Sequence, residues 1–172
     1  LAVSTRDGDL ISAAIKSNTN ISLFVRNTSA TLPMVTGHNV IAEIRGTESP
    51  NEIITLGGHL DSWDLAEGAQ DDGAGCVQAM ELIRVYKKLG IRPKRTIRVV
   101  LFTDEENSGA GGMKYAEFAK AENKQHLFAL ESDAGGFSPR GFDFVITDER
   151  LAKMKSWLPL FLPYGVYHFD HG

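Results

Sequence analysis

Thr96-Ile97-Arg98-Val99-Val100-Leu101-Phe102, followed at once by Thr103-Asp104-Glu105-Glu106, is the stretch that decides the fold. A nearly continuous apolar run bounded by polar residues is the pattern of a strand covered on both faces, since a strand with one wet face alternates instead. It belongs in the middle of a sheet. The Asp-Glu-Glu step that follows places acids where such a strand ends.

Upstream of this run, apolar residues recur at Cys76, Ala79, Met80, Ile83 and Tyr86, with Gly90 as a C-terminal stop, which predicts an amphipathic helix over 76–89. Before it, 39–45 and 52–56 read as strands. The turn-forming Gly46-Thr47-Glu48-Ser49-Pro50-Asn51 between them predicts an antiparallel hairpin. Ser22-Leu23-Phe24-Val25-Arg26 is a further β-prone run. Downstream, the pattern gives a weaker helix over 113–122, strands over 127–130 and 142–146, and a helix opening near Asp148 with Leu151, Met154 and Leu158 on one side. Strands alternating with helices predict an α/β class: a three-layer domain with a central mixed β-sheet flanked by helices. Residues 1–20 read as a linker, set apart from the patterned stretch 21–172.

With 172 residues and 42% hydrophobic content, the chain can bury one core. A net charge of −4 from 18 basic and 22 acidic residues, without a basic block, argues against nucleic acid as a partner. No apolar run is long enough to span a membrane. The single cysteine, Cys76, leaves no internal disulfide and no cysteine-based zinc cage.

Chemistry gathers where the strands end. His59 and Asp61 follow one strand, Glu105 and Glu106 another, Asp133 a third, and Asp71-Asp72 precede the helix. In open α/β sheets, ligands bind beyond the carboxyl ends of the strands. Carboxylates crowded at one rim repel each other unless a cation is bound. Imidazole and carboxylate bind zinc at roughly 2.0–2.2 Å, and paired ions lie about 3.5–4 Å apart. His59 and Asp61 are two residues apart, so an extended chain puts both side chains on one side, where Asp61 orients the imidazole. Gly57-Gly58 and Gly73, Gly75 allow close backbone approach there.

The segments Gly57-Gly58-His59-Leu60-Asp61-Ser62-Trp63-Asp64, Asp71-Asp72-Gly73-Ala74-Gly75, Phe102-Thr103-Asp104-Glu105-Glu106-Asn107 and Glu131-Ser132-Asp133-Ala134-Gly135-Gly136 resemble, in order and spacing, the co-catalytic zinc exopeptidase family. The order and spacing resemble one carboxypeptidase branch of that family. The resemblance implies that His59, Asp71 and Asp133 hold one zinc and that Asp71 bridges to a second zinc also held by Glu106. It also implies Glu105 as general base and a cis peptide between Asp71 and Asp72. The family's fifth ligand, a downstream histidine, is not matched; His168 and His171 are not assigned to metal. Two zinc ions are therefore expected in an intact parent and zero or one in this chain, read as a piece truncated at both ends. The resemblance also implies that residues 1–20 are a linker or the exit from an inserted domain and 21–172 a partial peptidase catalytic domain.

The expected activity is hydrolysis of terminal bonds in small peptides. The alternatives are a catalytically silent binding or scaffold domain and single-zinc hydrolase or acyl-transfer chemistry on the same fold. The expected partner is a small peptide substrate, with neither nucleic acid nor membrane. A homodimer stays open, and a secreted or periplasmic location follows from the resemblance alone.

Overall fold

A computed structural model describes residues 3–18, 20–133 and 135–172, and the chain divides into two compact units, Leu1–Val35 and Thr36–Gly172. In the first, helix α1 (Thr5–Ser17) forms where the sequence reads as linker; Ser4 caps it by accepting the Asp7 N–H, and none of its described residues is buried. The run Ser22 to Arg26 is not a strand. Its Phe24 is 93% exposed. A β-prone segment without a partner ladder or an apolar face to cover gains nothing by extending.

The second unit is built on a four-stranded sheet in the order β1-β3-β2-β4, with β1 (Val40–Ile44), β2 (Ser49–His59), β3 (Arg95–Phe102) and β4 (Gln125–Glu131). The apolar run Thr96 to Phe102 lies in β3, an interior strand buried from Thr96 to Leu101. It is parallel to β2 and antiparallel to β1, while β2 is also parallel to β4, so the sheet is mixed. The expected hairpin between the first two strands does not form, because β3 lies between them. At the turn, the Gly46 N–H donates to Thr96 Oγ1 at 3.0 Å and the Thr47 N–H to the Pro93 carbonyl at 2.9 Å. A Cβ on Gly46 would lie 2.6 Å from the Lys94 carbonyl oxygen. The turn thus spans the start of β3 and leaves a slot for it. An apolar strand with both edges paired is more stable in that slot than at a sheet edge.

Helix α2 (Gly73–Leu89) covers one face, where Cys76 and Ala79 pack on Val99 and Leu101, with Leu56 and Ile83 alongside. Burying side chains of this size contributes roughly 1.5–3 kcal/mol each for Val and Leu. Gly90, in the left-handed conformation, ends the helix as the sequence predicts. On the other face, helix α3 (Ala110–Ala121) sets Tyr115 edge-on to Phe102, with ring centroids 5.7 Å apart. The three-layer expectation holds. Arg98, the charge in the buried part of β3, is 2% exposed on this second face. Its guanidinium donates to Glu122 at 2.5 and 2.8 Å, to Glu43 at 2.6 Å and to Tyr115 Oη at 3.2 Å. These partners keep Arg98 charged, and the Arg98 guanidinium in turn, with help from Lys124, pulls the Glu122 carboxyl down to about 2.

The strand expected over 142–146 is β5 (Gly141–Phe144), which pairs in parallel with β6 (His168–His171) as a separate two-stranded sheet. Helix α4 (Asp148–Ser156) supplies Leu151 and Met154 to its core, which also contains Phe144, Val166 and Phe169. Phe142, Phe144 and Phe161 each meet Phe169 edge-to-face, with centroids 5.3–5.6 Å apart. Among the described residues no helix is long and apolar enough to cross a membrane.

Candidate metal centre

Three parallel strands end side by side. His59, the last residue of β2, is in register with Phe102, the last of β3, and Gly57 is in register with Glu131, the last of β4. The loops leaving these strands carry Asp61, Glu105 with Glu106, and Asp133, and the loop into α2 carries Asp71 and Asp72. The carboxyl-end rim is therefore where the sequence places it.

His59 is the hub. Its ring is 1% exposed, and Nε2 lies 3.1 Å from Asp71 Oδ1, 3.1 Å from Asp133 Oδ1 and 3.9 Å from Glu105 Oε2. Nδ1 donates to the Asp61 backbone carbonyl at 2.9 Å, which fixes the ring and leaves the Nε2 lone pair for a cation. This corrects the expected role of the Asp61 carboxylate, which lies 3.9 Å from Nδ1. That carboxylate instead accepts the backbone N–H groups of Glu105 and Glu106, at 3.0 and 3.1 Å. One residue thus orients the imidazole with its main chain and the glutamate pair with its side chain. Burial alone would lower the His59 pKa, but the Asp61 carbonyl and the Asp133 carboxylate outweigh it and push the ring up to about 9.

The backbone of His59 is held as firmly as its ring. Its N–H donates to Asp72 Oδ2 at 2.8 Å, and its carbonyl accepts the Cys76 thiol at 3.0 Å. Burial pushes the Cys76 thiol up, and the Asp72 and Glu131 carboxylates add to the shift, so the group remains a donor. Asp72, taken alone, reads as a solvated turn former; the structure buries it to 1% exposure as the N-cap of α2, with Oδ1 accepting from Gly75 at 2.9 Å. An Asp before Gly73-Ala74-Gly75 is an N-cap signal, and that signal alone locates it. Gly58 and Gly75 are required around it, because a Cβ at either would lie 2.4 and 2.3 Å from its carboxylate oxygens. The Asp71–Asp72 peptide is cis, as the resemblance implies.

Two sets of side chains stand close enough to share an ion: His59 with Asp71 and Glu106, and His59 with Asp72 and Asp133. Both use the one imidazole, so together they make a single centre rather than two complete ones. Donors around a tetrahedral zinc at about 2.0–2.1 Å sit roughly 3.3 Å apart, and the 3.1 Å spacings from Nε2 to Asp71 and Asp133 approach this. Asp72 already spends its oxygens on two backbone N–H groups, whereas Asp71 reaches Nε2 at 3.1 Å but groups with Glu106, so the expected set of His59, Asp71 and Asp133 is not brought together as one group among the described residues. Glu106 Oε1 is buried without a hydrogen-bond partner. Burial and then the Asp71 carboxylate raise the Glu106 carboxyl, the cost that a bound cation removes. The donor set fits zinc.

His38 lies outside this group, and His168 and His171 pair instead with Asp143 and Asp148, at 3.3 and 2.9 Å. Residues 39–167 match Peptidase family M28. The chain belongs to this family. It is 36% identical over 164 residues to Carboxypeptidase Q of Rattus norvegicus, covering 95% of this chain and 35% of that protein. Carboxypeptidase Q of Homo sapiens is 34% identical over 171 residues, covering 99% and 36%. The crystal structure of a Peptidase M28 precursor from Shewanella amazonensis superimposes with a TM-score of 0.75 at 32% identity, over 96% of this chain and 38% of that one. The M28 chain described here thus spans about a third of the length of the relatives it matches. Family M28 is the co-catalytic zinc exopeptidase family whose four motifs the sequence resembles.

Proposed function

We propose that this chain carries the catalytic centre of a zinc-dependent exopeptidase that hydrolyses terminal peptide bonds of small peptides. The observation that carries the reading is the convergence of His59, Asp71, Asp133, Glu105 and Glu106 at one strand-end rim, with His59 Nε2 within 3.1–3.9 Å of three of their carboxylates. His59, Asp71 and Asp133 would hold zinc, and Glu106 would share with Asp71 in holding a second ion. Zinc held there supplies a Lewis acid for the scissile carbonyl and lowers the pKa of water.

The protein's own residues do the rest. Glu105 is 45% exposed beside the imidazole, placed to accept a proton from the attacking water and return it to the leaving amine. Asp61 holds the two glutamates through their amides, so the base and the neighbouring ligand are set by one carboxylate. Asp72 and Cys76 hold the His59 backbone against movement when the ring is loaded. The second ion has Asp71 and Glu106 as its donors among the described residues, short of a closed tetrahedral set. Two zinc ions are accordingly assigned to the longer protein and zero or one to this chain.

The test is zinc content and hydrolysis of dipeptide and aminoacyl substrates, compared between this chain and a form extended by the flanking segments of its relatives. The extended form should bind two zinc ions per chain and turn over substrate, and Glu105→Gln should abolish turnover while leaving zinc bound. An extended form that is folded, binds no zinc and cleaves neither substrate class defeats the proposal.

A further inference from the structure

The loop that carries Glu105 and Glu106 is closed at its base by a residue far away in sequence. Asn39, just before β1, accepts the Thr103 N–H on Oδ1 at 3.0 Å and donates from Nδ2 to the Gly111 carbonyl at 2.8 Å. Thr103 and Gly111 are the two ends of the loop, and the Gly111 N–H closes the same base by donating to the Thr103 carbonyl at 3.1 Å. The fit leaves no slack. A Cβ on Gly111 would lie 2.1 Å from the Thr103 carbonyl oxygen and 2.6 Å from Asn39 Oδ1.

Between these ends the chain bends sharply. Asp104 has φ 60°, a left-handed conformation uncommon for a residue with a side chain, and Gly109 has φ 65°. The Gly109 N–H returns to the Asp104 carbonyl at 2.7 Å, and the Ser108 hydroxyl donates to the Asp104 carboxylate. Among the described residues the loop therefore has two external side-chain anchors: the Asp61 carboxylate on the amides of Glu105 and Glu106, and the Asn39 carboxamide across the base. A carboxamide suits the second position because it offers an acceptor and a donor at once, one for each end.

We infer that Asn39 is a positioning residue for the Glu105–Glu106 pair, acting through the base of their loop. This rests on the zinc-peptidase reading for its consequence and on the hydrogen bonds alone for its geometry. Removing the carboxamide leaves the base closed by the Gly111-to-Thr103 backbone bond alone, so the loop loosens about Asp61, its remaining external anchor among the described residues, and the glutamates lose their fixed distance from His59.

The test measures amide hydrogen exchange by NMR and zinc affinity by competition with a chromophoric chelator. It compares the 172-residue chain with Asn39→Ala, Asn39→Asp and, as a destabilised control remote in sequence, Phe169→Leu. Asn39→Ala should lose exchange protection at Thr103, Glu105 and Glu106 and bind zinc about tenfold more weakly, the usual scale for a group that supports ligands. Asn39→Asp, which keeps the acceptor but not the donor, should retain protection at Thr103. Phe169→Leu should leave all three amides protected. Unchanged protection at Glu105 and Glu106 in a folded Asn39→Ala overturns the inference. So does an equal loss in Phe169→Leu, which would mark the change as global. If the unsubstituted chain takes up no zinc, this chain is the zero-ion case, and the exchange rates still decide the role of Asn39.

Discussion

The Asp72 carboxylate binds the His59 N–H at 2.8 Å across thirteen residues of sequence while capping the helix that begins beside it. One buried side chain thus ties the end of a core strand to the start of the helix that covers it. Asp72→Ala removes a cap, costing about 1 kcal/mol, and leaves a buried N–H unsatisfied, costing about 1–3 kcal/mol more. Urea unfolding should register the loss, with Asp72→Asn milder because its amide oxygen still accepts one of the two bonds. Equal midpoints for Asp72→Ala and the unsubstituted chain would show that neither bond matters to the fold.

Glycine has opposite consequences at two helical positions. At Gly75 a Cβ would stand 1.8 Å from the Ser132 carbonyl oxygen, so Gly75→Ala must push α2 away from the loop that carries Asp133. We expect a loss of about 1–3 kcal/mol, the usual cost of overpacking. At Gly112, inside α3, a Cβ meets nothing within 4 Å. Gly112→Ala should therefore gain up to about 1 kcal/mol from helix propensity alone. Thermal unfolding of the pair should move in opposite directions, and a shift in the same direction would mean the contacts around Gly75 relax.

The core of this site was legible because its residues sit at abrupt changes of pattern. The apolar run to Phe102 ends in two glutamates, and Leu56-Gly57-Gly58 ends in His59, so strand ends and ligands announce each other. What stayed hidden depended on partners distant in sequence. Whether 39–45 pairs with 52–56 or with β3 cannot be read from alternation, which records the buried face and not the neighbour. Arg98 stands inside an apolar run and is the centre of an ion network that the run itself does not reveal, since Glu43 and Glu122 lie 55 and 24 residues away. Asp61 carried the right location and the wrong atom: its spacing from His59 pointed to the carboxylate, and the chain path delivers the carbonyl. Helix α1 has a usable cap in Ser4 but a weakly apolar sequence, so composition argued for linker.

The Arg98–Glu122 pair gives stability a pH dependence with a definite sign. The Arg98 guanidinium, with help from Lys124, holds Glu122 at about 2, below the ordinary 4.5. A depressed carboxyl contributes above its ordinary value and loses that contribution as pH falls through the window from about 4.5 to about 2. Glu122→Gln should be less stable at neutral pH by roughly 3 kcal/mol, because Arg98 stays buried with fewer anionic partners. The gap between the two proteins should narrow across that acidic window. Urea midpoints measured from pH 7 down to 2 check it, and a constant gap would assign the loss to packing rather than charge.

Zinc itself should stabilise the fold, and the pattern among variants should identify its ligands. A ligand bound only by the native state at a hundred times its Kd adds about 2.7 kcal/mol, so saturating zinc should raise the unfolding midpoint. The relevant quantity is the zinc-induced shift within each variant, because His59→Ala also empties a buried position. Since both ligand groups use His59, that variant should show no shift at all. Asp133→Asn should lose most of it if His59, Asp71 and Asp133 hold the ion, whereas Glu106→Gln should keep it. The reverse pattern, with Glu106→Gln losing the shift and Asp133→Asn keeping it, would move the ion to the His59, Asp71 and Glu106 group and make Asp133 a neighbour instead of a ligand.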